Sequence, residues 1–99
     1  MAVVRLSVVA VEDLDRMILT HSLPADTRAR VGHSLSPLER FPRLGRQFEG
    51  RWEPFRFILG PWRWMLIVYA YDEQQDEVLI ATIQDARSST ATTSGQRTR

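Results

Sequence analysis

The sequence predicts a single α+β domain of order β-α-α-β-β-β, with a two-helix hairpin packed on a small antiparallel sheet. Three observations carry that prediction. The first is Phe57–Asp72, FILGPWRWMLIVYAYD, where two apolar runs flank Gly60-Pro61. Its second run, Trp62–Tyr71, is rich in aromatic and β-branched residues, which favour strand over helix. It is apolar on both alternating faces except at Arg63, the pattern of a central strand covered on two sides. The second observation is helical apolar spacing through the first forty residues. The third is a series of strand-like runs from Phe55 to Gln84 joined by short polar connections, which reads as an antiparallel meander.

Each element follows from local chemistry. Val3–Ser7 is a short strand with Val4 and Leu6 on one face and Arg5 on the other. Ser7 is placed to cap the helix that follows. From Val8 to His21 the residues Ala10, Leu14, Met17, Ile18 and His21 share one face. Glu12 and Asp13 are assigned to the opening turns, where the helix dipole favours negative charge. Pro24 opens the second helix as a first-turn proline, and Val31, Leu35 and Leu38 form its apolar stripe. Pro37 demands a kink or a restart, and Ser36 with Glu39 has the spacing of a capping box. Pro42 ends the helix at Phe41. Residues 47–54 read as a loop or a frayed strand, and Phe55–Leu59 as a strand. Asp72–Asp76 is a hairpin turn leading into the last strand, Glu77–Gln84. There Val78 and Ile80 share one face and Leu79, Ala81 and Ile83 the other.

With both helices on one side, the opposite face of the sheet is expected to need a partner or ligand to cover it. The domain is bounded at 1–87. Residues 88–99, Ser/Thr-rich and without a large apolar side chain, are expected to form a disordered tail.

Composition narrows the function classes. The 99 residues fit one domain, and a hydrophobic share of 43% is enough for one modest core. There is no cysteine, which excludes disulfides, thiol chemistry and thiolate-held zinc. Two isolated histidines argue against a metal site, and no cofactor is expected. Neither a secretory leader nor an apolar run of about 18 residues is seen, so a cytoplasmic protein with no membrane partner is expected.

The net charge of +1 hides a segregated pattern. All 13 basic residues are arginine, which GC-rich coding explains well enough, although arginine also suits planar phosphate contacts. Arg40, Arg43, Arg46, Arg51, Arg56 and Arg63 face only Glu49 and Glu53 across residues 40–71, whereas residues 72–85 carry five acids and no base. One basic face and one acidic edge are expected.

Four stretches, in register from residue 3 to residue 87, carry a resemblance to a known family. They are Val4-Arg5-Leu6-Ser7 with Ala10 and Asp13-Leu14; Leu38-Glu39-Arg40-Phe41-Pro42-Arg43-Leu44-Gly45-Arg46; Ile58-Leu59-Gly60-Pro61-Trp62-Arg63; and Ile83-Gln84-Asp85-Ala86-Arg87. Together they resemble the RelE/ParE family of toxins from bacterial type II toxin–antitoxin modules. The resemblance implies a growth-inhibiting, plasmid-stabilising type of protein, neutralised by a cognate antitoxin and assembled with it or with itself. Its target would be DNA gyrase, as for ParE-like members, or mRNA on the ribosome, as for RelE-like members.

RNA cleavage through the 2′-hydroxyl needs a base, an acid and cations for the charged phosphorane. The resemblance makes Arg63 and Arg87 the catalytic candidates of an endonuclease, with Arg43, Arg46, Arg51 and Arg56 binding flanking phosphates or the target. Family nucleases place His or Tyr at or after the last strand. Gln84-Asp85-Ala86-Arg87-Ser88 has neither, and His21 and His33 fall on helices assigned elsewhere. Glu49 and Glu53 remain as bases without a matching acid.

The expectation therefore leans to ParE-like gyrase inhibition without enzyme activity. A RelE-like ribosome-dependent mRNA endonuclease is the alternative. A degenerate, non-toxic antitoxin-binding homologue is a second, and a generic basic nucleic-acid-binding module a further one. Trp62 and Trp64 are expected on the face that meets a partner. The plainer readings are that Arg63 and Arg87 pair with acids such as Glu53 or Asp85, that His21 is a helix-end residue, and that the tryptophans are core.

Overall fold

The computed structural model describes residues 1–87; the expected tail at 88–99 lies outside the described residues. Strand β1 is Val3–Leu6, helix α1 Val8–Thr20 and helix α2 Thr27–Leu35, followed by a 3₁₀ turn over Ser36–Glu39. Strands β2 (Arg46–Gln47), β3 (Phe55–Leu59), β4 (Met65–Asp72) and β5 (Glu77–Asp85) complete the chain. They form one five-stranded sheet in the order β1-β5-β4-β3-β2. The meander β3–β4–β5 is antiparallel as expected, but β1 runs parallel to β5, so the sheet is mixed. The two-residue β2 is an addition, paired antiparallel to β3.

Both helices lie on one face. Ala10, Leu14 and Met17 from α1, and Val31, Leu35 and Leu38 from α2 and its 3₁₀ extension, are buried against Met65, Ile67, Tyr69, Val78, Ile80 and Ile83. The predicted stripes of both helices are thus the observed ones. The caps agree in part. Ser7 Oγ accepts the Ala10 amide at 3.1 Å, as a helix N-cap should. Pro24 stays outside α2, its carbonyl accepting from the Thr27 amide and hydroxyl. Ser36 and Glu39 sit in the 3₁₀ turn, where no side chain caps the end, so the capping box does not form. Glu12 and Asp13 lie beyond the first turn of α1.

One irregularity changes the predicted faces of the last strand. Val68 pairs with Thr82 and Tyr69 with Ile80, leaving Ala81 as an extra residue in β5. A bulge of this kind reverses the alternation beyond it. Ile83 therefore joins Val78 and Ile80 in the core instead of sharing the outer face with Leu79.

The bulge lies where β1 ends, and α1 closes the exposed edge. Ser7 donates its amide to the Ile80 carbonyl at 2.9 Å and its hydroxyl to the Ala81 carbonyl at 2.9 Å. Further along α1, the buried Asp13 carboxylate accepts the Ile83 amide at 3.1 Å and the Thr82 hydroxyl. Backbone groups that would otherwise be buried unpaired are satisfied by α1 itself.

The central strand is shorter than predicted. It begins at Met65, because Gly60–Trp64 forms a turn closed by the Gly60 amide to the Met65 carbonyl at 2.8 Å and the Met65 amide to the Trp62 carbonyl at 3.0 Å. Arg63, predicted at the start of a buried strand, is exposed in that turn. The face away from the helices carries Leu66, Val68 and Ala70 with Phe55, Phe57 and Leu59 opposite them. The chain covers part of it: Phe48 packs on Phe57 (5.0 Å between ring centroids) and Trp52 on Phe55 (6.2 Å). The remainder, including Leu59 and Leu79, stays exposed.

Two substitutions test this account. Asp13→Ala leaves the Ile83 amide and the Thr82 hydroxyl without their acceptor and should cost roughly 1–3 kcal/mol in urea unfolding; an unchanged midpoint would show that water replaces the carboxylate freely. Gly45→Ala should cost a similar ~1–3 kcal/mol, because a Cβ there would lie 2.7 Å from the Phe57 carbonyl oxygen and from the Tyr69 ring. An unperturbed variant would mean that the 43–46 loop is not held against Tyr69.

Candidate nucleic-acid site at one end of the sheet

The end of β5, the end of α1 and the β3–β4 turn converge. Met65 pairs with Asp85, and the Ala86 amide continues that pairing by donating to the Trp64 carbonyl at 2.7 Å. This places Trp64 beside Arg87. The Arg87 guanidinium lies 4.6 Å from the Trp64 ring centroid, a cation–π distance. On α1, Asp13, Met17 and His21 follow one another at four-residue intervals and so share a face. His21 caps the C-terminus of α1 and stacks on Trp64, with centroids 5.0 Å apart and planes inclined by 15°. Trp62 stacks on Trp64 at 5.9 Å, and Arg30 of α2 lies 5.8 Å from the Trp62 ring.

Asp85 ties the cluster together. One oxygen lies 2.8 Å from His21 Nε2. Arg87 donates Nε to one carboxylate oxygen and Nη2 to the other, both at 3.1 Å, and its amide to the first at 2.8 Å. Charge-assisted, two-pronged pairs of this type are the stronger ones. The carboxyl is held well below the usual carboxylate range, chiefly by Arg87 and further by His21, with partial burial opposing both. An ionised carboxylate only accepts, so His21 Nε2 carries the proton. His21 Nδ1 faces the Thr20 hydroxyl at 2.8 Å on the exposed side.

The expected site residues separate into two groups. Arg63 and Arg87 are at this end of the sheet. Arg87 pairs with Asp85, the plainer of its two readings, whereas Arg63 is exposed and has no ion pair among the described residues. Arg43, Arg46, Arg51 and Arg56 lie along the β2–β3 side. Arg56 is structural, donating to the carbonyls of Arg43 (3.2 Å) and Gly45 (2.9 Å). Arg43 pairs with Glu73 at 3.0 Å and lies 5.1 Å from the Tyr71 ring, at the other end of β4. Arg46 and Arg51 are exposed. Glu49 and Glu53 belong to the exposed β2–β3 loop, away from His21.

Two corrections concern this end of the sheet. Trp62 and Trp64 are in the turn before β4 and pack partly into the helix-side core, not on the open sheet face. His21, assigned away from the last strand, is bonded to its final residue. The available signal was the helical spacing from Asp13 to His21, which placed His21 on the core face of α1. What it lacked was the strand against which that face lies.

Tyr69 and Tyr71 take no part here. Tyr69 is buried and its hydroxyl accepts the Gly45 amide at 2.8 Å; burial raises its pKa, with the Gly45 bond opposing. Tyr71 donates to Asp76 at 2.7 Å. Among the described residues no group of three or more His, Asp or Glu is gathered as a metal site, and no helix is long and apolar enough to cross a membrane.

The architecture, two helices on one face of a small mixed sheet, is similar to that of solved RelE-type toxin structures, with a roughly consistent element order. The isolated RelE toxin of Escherichia coli superposes with a TM-score of 0.67 at 15% identity, covering 91% of this chain and 90% of that one. A chain of the toxin–antitoxin complex RelBE2 from Mycobacterium tuberculosis superposes at 0.63 and 22% identity, covering 85% and 96%. A copper-bound mutant toxin from Helicobacter pylori gives 0.65 and 19%, covering 86% and 94%. At these identities the likeness establishes the fold. No protein-family profile and no curated protein sequence matches the chain.

The Asp85 cluster makes stability depend on acidity with a defined sign. Its carboxyl ionises more readily in the folded chain than in the unfolded one, where carboxyls of this type titrate near ~3.9. Its stabilising contribution is complete above that value and is lost as pH falls below it. Asp85→Asn should therefore lower the melting temperature at neutral pH, and the gap to wild type should narrow from about pH 4 downwards. A gap independent of pH would remove Asp85 as a linked group.

Proposed function

We propose that the chain is the toxin component of a toxin–antitoxin pair and acts as a RelE-like, ribosome-dependent mRNA endonuclease in the cytoplasm. The observation that carries this reading is the bonded pair of His21 and Asp85 at the end of the last strand, between Arg87 and the Arg63 turn. The expectation of gyrase inhibition rests on a last-strand region with neither His nor Tyr and no paired acid and base. His21 brings an imidazole to that region, and the similar toxins of known structure include RelE and a RelBE2 chain.

The parts suit phosphodiester chemistry. Arg63, exposed and unpaired among the described residues, offers a full positive charge for a phosphorane oxygen. Arg87 is oriented by Asp85 with one guanidinium face against Trp64. The arginines along β2 and the following loop, Arg46 and Arg51, are placed to hold flanking phosphates or ribosomal RNA. The antitoxin is the protein partner, and the uncovered apolar face with Leu59 and Leu79 is a surface it can bury.

The test is induced expression of the chain in a bacterial host, with mapping of new 5′ ends on ribosome-bound transcripts. Transcript cutting that precedes any fall in thymidine incorporation is the expected result. A DNA-damage response without cut transcripts would return the gyrase reading, and unimpaired growth would return the non-toxic homologue. Arg63→Ala should reduce cleavage by roughly 10²–10³-fold, the usual loss when one charge-stabilising donor is removed. Because Arg63 holds no partner among the described residues, the melting temperature of the variant should stay at the wild-type value; undiminished cutting would make Arg63 dispensable.

A further inference from the structure

We propose that His21 is the general base of this site, taking the ribose 2′-hydroxyl proton on Nδ1, and that Asp85 is the residue that positions it. This rests on the RNA-cleavage reading and adds to it a catalytic role for the C-terminus of α1. Four observations carry it. Asp85 accepts the Nε2 proton at 2.8 Å, which orients the ring, fixes its tautomer and leaves Nδ1 as the basic nitrogen. Nδ1 already faces a hydroxyl, that of Thr20, at 2.8 Å on the exposed side, so the place that a ribose hydroxyl would take is occupied by the same chemical group. Stacking on Trp64 at 5.0 Å holds the imidazole plane. Arg87 places a guanidinium over the same indole ring, 4.6 Å from its centroid.

The step balances without a co-reactant other than water. Nδ1 takes the 2′-hydroxyl proton while O2′ bonds to the adjacent phosphorus. The phosphorane charge is met by Arg63 and Arg87. The bond from phosphorus to O5′ breaks, and O5′ leaves with a proton from water. The products are a 2′,3′-cyclic phosphate and a 5′-hydroxyl end, and the imidazolium returns its proton to solvent. The carboxylate of Asp85 stabilises that imidazolium, as in other carboxylate–imidazole couples.

The test is single-turnover cleavage of a defined mRNA on programmed ribosomes by the full chain and its His21→Ala and Asp85→Asn variants. Binding is measured in parallel on an mRNA carrying a 2′-deoxynucleotide at the cut position. His21→Ala should lower the cleavage rate by roughly 10²–10⁴-fold, the usual contribution of a general base. Its binding of the deoxy mRNA should be retained and the variant should stay folded at the assay temperature, with a melting temperature lowered by the lost Asp85 and Trp64 contacts; added imidazole should restore part of the rate. Asp85→Asn should lower the rate without weakening the binding.

A folded His21→Ala variant that cuts within about threefold of wild type overturns the role of His21 and leaves the endonuclease reading standing. Loss of binding in place of rate, or a slow variant that imidazole does not restore, also overturns it. A wild-type chain that cuts nothing overturns both.

Discussion

The structure depends on how α1 closes the free edge of β5. Strand β1 pairs with only the first half of β5, and beyond it the last strand would expose buried backbone groups. Ser7 and Asp13, one at the cap and one a turn and a half along α1, take those groups over. That pairs the helix axis with the strand. Once Asp13 is anchored at Ile83, the same helix face two turns on must reach the end of β5, where His21 meets Asp85. The candidate site is thus a consequence of the device that finishes the sheet.

The Ala81 bulge belongs to the same device. It turns Ile83 into the core and brings the rest of β5 into the register that pairs Asp85 with Met65. Without the extra residue, alternation would place Asp85 on the opposite face from α1. A fold of this size gains little from any single surface ion pair. The weight lies on groups that satisfy buried backbone atoms, because leaving such atoms unpaired costs more than a pair contributes.

Much of the architecture was legible in the sequence. The stripes of Ala10, Leu14 and Met17 and of Val31, Leu35 and Leu38, the Ser7 cap, the Pro37 restart and the three-strand meander all follow from local periodicity and turn chemistry. What was not legible depends on contacts far apart in sequence. The bulge at Ala81 is met from across the fold by the Ser7 hydroxyl. Trp62 and Trp64 have strand chemistry but are held in a turn, because the Gly60 amide reaches Met65. The parallel pairing of β1 leaves no trace in a four-residue run.

Of the arginines singled out by the motif resemblance, Arg63 is exposed in the turn before β4 and Arg87 pairs with Asp85, while Arg56 and Arg43 are engaged in holding the 43–45 loop and the β4–β5 hairpin. Local periodicity places His21 on the core face of α1 but carries no signal for the strand that this face meets. The partner of His21, Asp85, is 64 residues away.

The candidate site depends most directly on the bond between His21 and Asp85. The measurement is a ¹⁵N–¹H correlation of the histidine rings in the wild type and in Asp85→Asn. The expected result is that His21 is held as the Nε2–H tautomer, with its Nε2 proton protected from exchange, and that both properties are lost in the variant while His33 is unmoved. A His21 ring that averages between tautomers in the wild type, or is indifferent to Asp85→Asn, would contradict it.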